Sequence, residues 1–413
     1  MPYRGVLARV MRVLAAALKK IPEQTPARIE MLDAIRGFAL FGILLMNLEA
    51  FNGPIIGALG GIDSNLSGLD NLADALIYIF VQGKFWTLFS LLFGIGFAVM
   101  YDRASLAGVN FESIYRRRLF FLMLIGLCHL WLIWEGDILF SYALAGFVLL
   151  GWQRSNSDFS MAAIIFWFCA PLLVLAGIGI LNGSDPDADG QFSKELAEQI
   201  RILGSGSYYD VLQWRIGKFG QDIASIMFSL PMTVAMFALG VRFYRQGVAM
   251  PLEHADTGAL QKALLIGCAG LSMMLLSVWI APEIDPTHPN GLFALINSLN
   301  LLAGALMCIG MFLGLRWSWA TPAGRRFLQP LAPMGRMALS NYLGQSVIFT
   351  LIFNGYGFGA YQQLPRAWHI PMAMGVIACQ MIFSRFWLQR FRMGPLEYLW
   401  RWATYGRRPK FVS

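Results

Sequence analysis

From Asp33 to Phe51 the chain is apolar enough and long enough to cross a bilayer as one helix, and runs of the same kind recur along its length. No other feature restricts the fold as sharply. Backbone inside hydrocarbon must satisfy its own hydrogen bonds, so a chain with many such runs folds as a bundle of helices. Composition agrees, with 57% hydrophobic and 14% charged residues against about a quarter charged in an average soluble domain. The expected fold class is therefore all-α: a polytopic integral membrane bundle.

The loops orient that bundle. Arg103, Arg116, Arg117, Arg118, Arg154, Arg242, Arg245, Arg316, Arg325, Arg326 and Arg336 fall on one side of the apolar runs. The acidic segment 52–70, the turn Glu135-Gly136-Asp137, Asp185, Asp187, Asp189, Glu283, Asp285 and His288 fall on the other. Under the positive-inside rule the arginine side is cytoplasmic, and about ten crossings with both termini inside satisfy the whole pattern. They are expected at 33–51, 85–100, 119–134, 138–152, 161–181, 222–241, 259–281, 292–315, 337–353 and 371–388. An interfacial or re-entrant helix precedes the second, over 72–82, and ends at Gln82-Gly83-Lys84. Residues 1–28 read as a basic amphipathic segment on the cytoplasmic surface, 29–389 as the transmembrane domain and 390–413 as a basic, aromatic interfacial tail.

The net charge of +8 is accounted for by topology and by anionic membrane lipid, so no nucleic-acid partner is implied. The five cysteines lie in apolar runs without CxxC spacing and read as packing residues. Asp185, Asp187 and Asp189 alternate as in a calcium loop, but the closing bidentate Glu is missing and no metal site is expected.

Polar residues inside the spans are few. Asp33 and Arg36 stand one turn apart, and Asn47 follows Arg36 by eleven residues, about three turns or 16 Å along the same face. Asp33 and Arg36 read either as an interfacial ion pair or as part of a site. His129 lies one to two turns before Glu135-Gly136-Asp137, which gives it the ingredients of a general base with an orienting carboxylate; a neutral histidine bonded to a neighbouring helix is the competing reading. Lys84 either snorkels outward or faces a polar cavity. Arg336, Ser340, Asn341 and Gln345 recur at helical spacing, as helix-to-helix glue or as a ligand cavity. Gly310-x-x-x-Gly314 would admit close helix contact in a homo-oligomer.

Together these motifs resemble the YeiB-like family of bacterial multipass proteins. The resemblance rests on Leu32-Asp33-x-x-Arg36-Gly37 through Asn47, on Lys84-Phe85 with Leu88 to Gly94, and on Arg117-Arg118-Leu119 with Gly126 and His129. Gly136-Asp137-Ile138-Leu139 with Tyr142, Gly335-Arg336 with Ser340-Asn341-Tyr342, and Gly394-Pro395-Leu396-Glu397 with Trp400-Arg401 complete it. The first-helix pattern is in turn similar to that of transmembrane acyltransferases, including heparan-glucosaminide acetyltransferase and bacterial enzymes that O-acetylate surface polysaccharides. That likeness implies transfer of an acyl group, acetyl in the first instance, from cytosolic acyl-CoA to a small-molecule or glycan acceptor across the bacterial inner membrane. In the polysaccharide acetylases an Arg is followed eleven residues later by a catalytic His, where this chain has Asn47. An amide takes no proton at neutral pH, so the base must lie elsewhere. The resulting expectation gives His129 that role, with Asp137 orienting it and Asn47 polarising the acyl carbonyl. Arg36, Arg117, Arg118 and Arg336 would receive the coenzyme phosphates, and Asp33, Lys84, Glu135, Ser340, Asn341 and Gln345 would supply the remaining polar surface. A transporter for a small solute or lipid and a non-catalytic scaffold are the alternatives.

Overall fold

The computed structural model describes residues 28–155, 159–181, 188–285 and 290–412, side chains at 58–59 and 181–193 aside. The expected N-terminal amphipathic segment, Asp185, Asp187 and His288 lie outside the described residues. The rest is helical: α1 Glu30–Asn52, α2 Gly68–Phe80, α3 Lys84–Leu106, α4 Phe111–Leu132, α5 Leu139–Arg154 and α6 Met161–Leu181. There follow α7 Ala188–Ser205, α8 Tyr208–Gly217, α9 Phe219–Arg245, α10 Thr257–Ile280, α11 Gly291–Trp319, α12 Pro322–Leu328, α13 Ala332–Arg336, α14 Ala338–Phe353, α15 His369–Arg390 and α16 Pro395–Tyr405. No β-strand occurs among the described residues.

Seven of the described segments are long and apolar enough to cross a membrane, α2 and α3 counting as one continuous run. The three further expected crossings are α4, α5 and α14, which are shorter or carry the arginine cluster at one end. The protein is a polytopic helical membrane bundle.

Burial separates the inner helices from those that face lipid. In α1 78% of the apolar window is buried, against 22% in α10, so α1 is the axis around which the others pack. Small residues let them close on it. Gly335 of α13 lies against the Asp33 carbonyl, and Gly37 lies against the Leu331 carbonyl, both nearer than any side chain would allow. The break before α3 falls at Gly83, whose φ of +79° suits glycine and turns the chain between α2 and α3.

Glycines close a second helix pair: Gly94 of α3 abuts the Phe237 carbonyl of α9, and Gly240 of α9 abuts the Leu91 carbonyl of α3. Gly310 meets the Gly267 backbone of α10 within the chain, and Gly314 faces open space. All five cysteines are free, and Cys128, Cys268 and Cys379 are exposed on the bundle surface.

Candidate functional site: a buried histidine–aspartate pair and an arginine cluster

A short hairpin makes the pair. α4 ends at Leu132, the chain turns through Glu135-Gly136-Asp137, and α5 returns along α4 with Gly126 pressed against the Phe140 backbone. That close approach brings Asp137 alongside the last turn of α4. Asp137 Oδ1 lies 2.8 Å from His129 Nδ1, and its Oδ2 accepts the Phe140 amide at 2.6 Å. One carboxylate thus starts α5 and fixes the imidazole. With a carboxylate as its partner, Nδ1 of the neutral ring carries the hydrogen, which leaves Nε2 as a lone-pair acceptor.

Nε2 is fully buried and has no hydrogen-bond partner. Around the ring stand Tyr342, with ring centroids 5.3 Å apart, and Trp134 at 6.4 Å. Tyr342 Oη donates to the Gly136 carbonyl at 3.2 Å, which ties α14 to the same turn. Phe51 of α1 stacks on Trp134 at 4.1 Å. Asn47 lies one turn deeper on the same face of α1; it is buried, and its side chain bonds to no other described residue.

At the opposite end of α1, Asp33 accepts hydrogen bonds from Arg28 and, at 2.8 Å, from Arg36 Nη1. Arg336 lies within electrostatic reach of Arg28 and Asp33, and Arg118 within reach of Arg36 and Arg401. The Arg118 guanidinium stacks over Trp400 at 3.7 Å, and Trp400 Nε1 donates to the Arg118 carbonyl at 2.9 Å, which docks α16 onto α4. Arg36, Arg118 and Arg336 therefore share one cationic face. Arg117 turns away toward the end of α16, where it bonds the Ala403 carbonyl.

The chain matches the family model described as "Protein of unknown function (DUF418)" over residues 243–407. It is 32% identical over 406 residues to the uncharacterized protein YxaH of Bacillus subtilis (strain 168), covering 93% of this chain and 96% of that one. The uncharacterized protein YeiB of Escherichia coli (strain K12) is 28% identical over 388 residues, covering 90% and 95%. The chain belongs to the YeiB-like DUF418 family. An uncharacterized 39.9 kDa protein in the amylase 3′ region of Bacillus acidopullulyticus is 26% identical over 390 residues, 92% of this chain and 95% of that one.

In this YeiB-like protein the remaining predicted polar residues fall elsewhere. Lys84 does not snorkel outward. It is fully buried, and Nζ donates to the Tyr78 carbonyl at 2.9 Å, with Met274 Sδ at 3.7 Å. The carbonyl end of α2 offers it negative potential, which partly offsets the lost hydration. Ser340 is held by Glu397, with its amide donating to Oε1 at 3.0 Å. Burial raises the Glu397 carboxyl above the ordinary glutamate range, and the Ser340 bonds oppose that shift. Asn341 bonds Ser384 at 3.0 Å, and Gln345 bonds Gln380 at 2.8 Å, so both join α14 to α15 rather than lining a site.

Glu135 turns away from His129 toward α8, where Arg215 and Lys218 lie within electrostatic reach. Burial lifts its carboxyl above the usual range, and those cations oppose the shift. Sequence reasoning passed over Arg215, Tyr361 and Trp134, and also a charged knot on the same face. In that knot Arg366 meets Glu49 at 2.8 Å, Asp74 at 2.7 Å and His369 Nδ1 at 3.2 Å. Glu49, two residues beyond Asn47, was the signal available for it.

Proposed function

We propose that this protein is a transmembrane acyltransferase, moving an acyl group from cytosolic acyl-CoA to an acceptor on the outer side of the bacterial inner membrane. The observation that carries the reading is the orphaned, fully buried Nε2 of His129, held in its proton-accepting tautomer by Asp137. A buried lone pair with no partner costs stability unless something else fills the position. In the proposed reaction that partner is the acceptor's hydroxyl.

His129 Nε2 takes the hydroxyl proton as the acceptor oxygen attacks the thioester carbonyl. The tetrahedral intermediate then collapses with the coenzyme thiolate leaving, and the imidazolium returns the proton to that sulfur. An ester and a free thiol result, with Asp137 stabilising the transient imidazolium throughout. Asn47, one turn inside Phe51, is suited to donate an amide hydrogen to the developing oxyanion. The cationic face of Arg36, Arg118 and Arg336 suits the coenzyme's phosphates. Arg36 and Asn47 are about 16 Å apart along α1, within the reach of a pantetheine arm.

Two small concavities stand out, one lined by Phe97, Tyr101, Tyr244 and Arg245 and one by Phe51, Trp134, Glu135 and Arg215, and neither includes Arg36. In the proposed reaction the donor reaches His129 along a helix seam, and the glycine contacts between α1 and α13 are the natural place for it to open. The test is calorimetric titration of the purified protein with acetyl-CoA, using dephospho-CoA as control and Arg36→Ala as variant. Saturable binding weakened at least tenfold by Arg36→Ala supports the reading. A folded, monodisperse protein that binds no acyl-CoA of any chain length overturns it.

One observation favours transport instead. A helix broken at Gly83 with a buried ammonium beside the break is the arrangement of discontinuous-helix ion sites in transporters. Solute flux in proteoliposomes that Lys84→Met abolishes, with no acyl transfer, would select that reading.

A further inference from the structure

Beside the histidine, and separated from it by Trp134, lies a second polar assembly that the proposed chemistry leaves unused. Its roof is built from distant parts of the chain. α7 and α8 are joined by a capping box at Ser207, and the loop after α14 folds over them through Gly355, whose amide donates to the Leu203 carbonyl at 2.8 Å. The same loop is tied to the end of α1, where the Gln362 amide donates to the Asn52 carbonyl at 2.6 Å. Under this roof the concavity is lined by Phe51, Trp134, Glu135, Arg215, Asn354 and Tyr361, among others.

Four of its polar atoms are unmatched, while Glu135 Oε1 accepts from Gln199 at 3.4 Å and Asn354 donates to the Tyr356 hydroxyl at 3.2 Å. Arg215 is 1% exposed, yet Nε and Nη1 have no hydrogen-bond partner. Glu135 Oε2 and the Tyr361 hydroxyl, also buried, have none either. The concavity holds about 10 Å³, room for one water, so a larger ligand enters only as the roof loop after α14 lifts; unfilled, its four orphaned atoms would each cost about 1–3 kcal/mol. A guanidinium edge and a phenol present donors, and a carboxylate oxygen of the same lining presents an acceptor. Two aromatic rings, stacked on each other, form the apolar wall.

We infer that this concavity binds an anion bearing neighbouring hydroxyl groups, its carboxylate or phosphate on Arg215 and Tyr361 and a hydroxyl donating to Glu135. A sugar acid and a phosphoglycerol headgroup share that chemistry. The inference rests on the acyltransferase reading only for the ligand's role as acceptor: anchored at Arg215, it would extend past Trp134 toward His129.

The experiment is calorimetric titration of the full-length protein with D-glucuronate and with sn-glycerol 3-phosphate, using D-glucose and acetate as controls. Arg215→Met, Glu135→Gln and Tyr361→Phe are measured alongside wild type. Saturable binding of either anionic polyol is expected, at least tenfold tighter than glucose or acetate. Tighter binding of glucuronate points to a glycan source, and tighter binding of glycerol phosphate to a lipid headgroup. Arg215→Met should weaken binding at least tenfold. Tyr361→Phe removes an unmatched hydroxyl, so it should leave the melting temperature unchanged or higher while weakening binding several-fold, which keeps the test valid if Arg215→Met fails to fold. Absence of binding by both polyols, or wild-type affinity in both Tyr361→Phe and Arg215→Met, overturns the inference. Binding without acyl transfer leaves the pocket standing and removes the acceptor role. Transfer with an unchanged acceptor KM in Arg215→Met removes the pocket and leaves the transferase.

Discussion

Replacing Asp137 with Asn separates the catalytic account of the histidine pair from a purely structural one. Asp137 accepts two hydrogen bonds, from His129 Nδ1 at 2.8 Å and from the Phe140 amide at 2.6 Å. An asparagine has one acceptor oxygen and one amino group. If its oxygen keeps the Phe140 amide, the amino group faces Nδ1, which must then accept; the ring hydrogen moves to Nε2 and the base is lost. Asp137→Ala, in contrast, leaves the ring free to choose its tautomer but strands two donors, at about 1–3 kcal/mol each, or about 2–6 kcal/mol in all. The two variants should therefore rank oppositely, Asn the more stable and Ala the more active. General-base positioning contributes on the order of 10²–10⁴ in rate, and Asp137→Asn should lose most of it. Nitrogen-15 NMR of histidine-labelled protein reads the tautomer without any substrate, and only four histidines need assignment. Wild type should show an unprotonated Nε2 and the Asn variant a protonated one. The same Nδ1–H tautomer in both proteins, or full turnover by Asp137→Asn, would refute the reasoning.

Gly335→Ala places a methyl group on the Asp33 carbonyl, so it should lower the melting temperature and the yield of monodisperse protein, whereas Gly57→Ala, which meets open space, should do neither. Lys84→Met should change the melting temperature little or raise it, because the lost carbonyl bond is offset by sparing a desolvated ammonium; a fall of ten degrees or more would count against this. Glu397 has a folded-state carboxyl raised by burial, so it binds protons more readily when α16 is docked. Docking should strengthen as pH falls into the window just above the ordinary glutamate value and weaken as pH rises through it, and Glu397→Gln should flatten that profile in a protease-protection assay of the C-terminal segment. Trp400→Ala removes both the stack on Arg118 and the bond to its carbonyl, and should expose α16 to the same protease at every pH.

The transmembrane architecture was legible because the bilayer imposes it. Run length and the Gly83 break both survive in the fold. The His129–Asp137 pair was legible for a different reason: eight residues and one tight turn separate the two, so local geometry nearly forces them together. The partner of Lys84 was not legible because it is a backbone carbonyl at the end of the preceding helix, which no residue type announces. Asn341 and Gln345 carried a helical spacing shared by ligand cavities and by helix glue, and only their partners on α15, Ser384 and Gln380, decide between the two. Arg215 and Tyr361 had no local signal at all. Their meeting depends on a loop after α14 reaching back to the ends of α1 and α7, contacts between residues far apart in sequence.

The most direct measurement is transfer of label from [¹⁴C]acetyl-CoA in inside-out membrane vesicles carrying wild type or His129→Ala at matched, folded levels. The account predicts base-labile acetyl ester in the glycan or lipid fraction with wild type and at least a hundredfold less with His129→Ala. Equal labelling by the two proteins would contradict it.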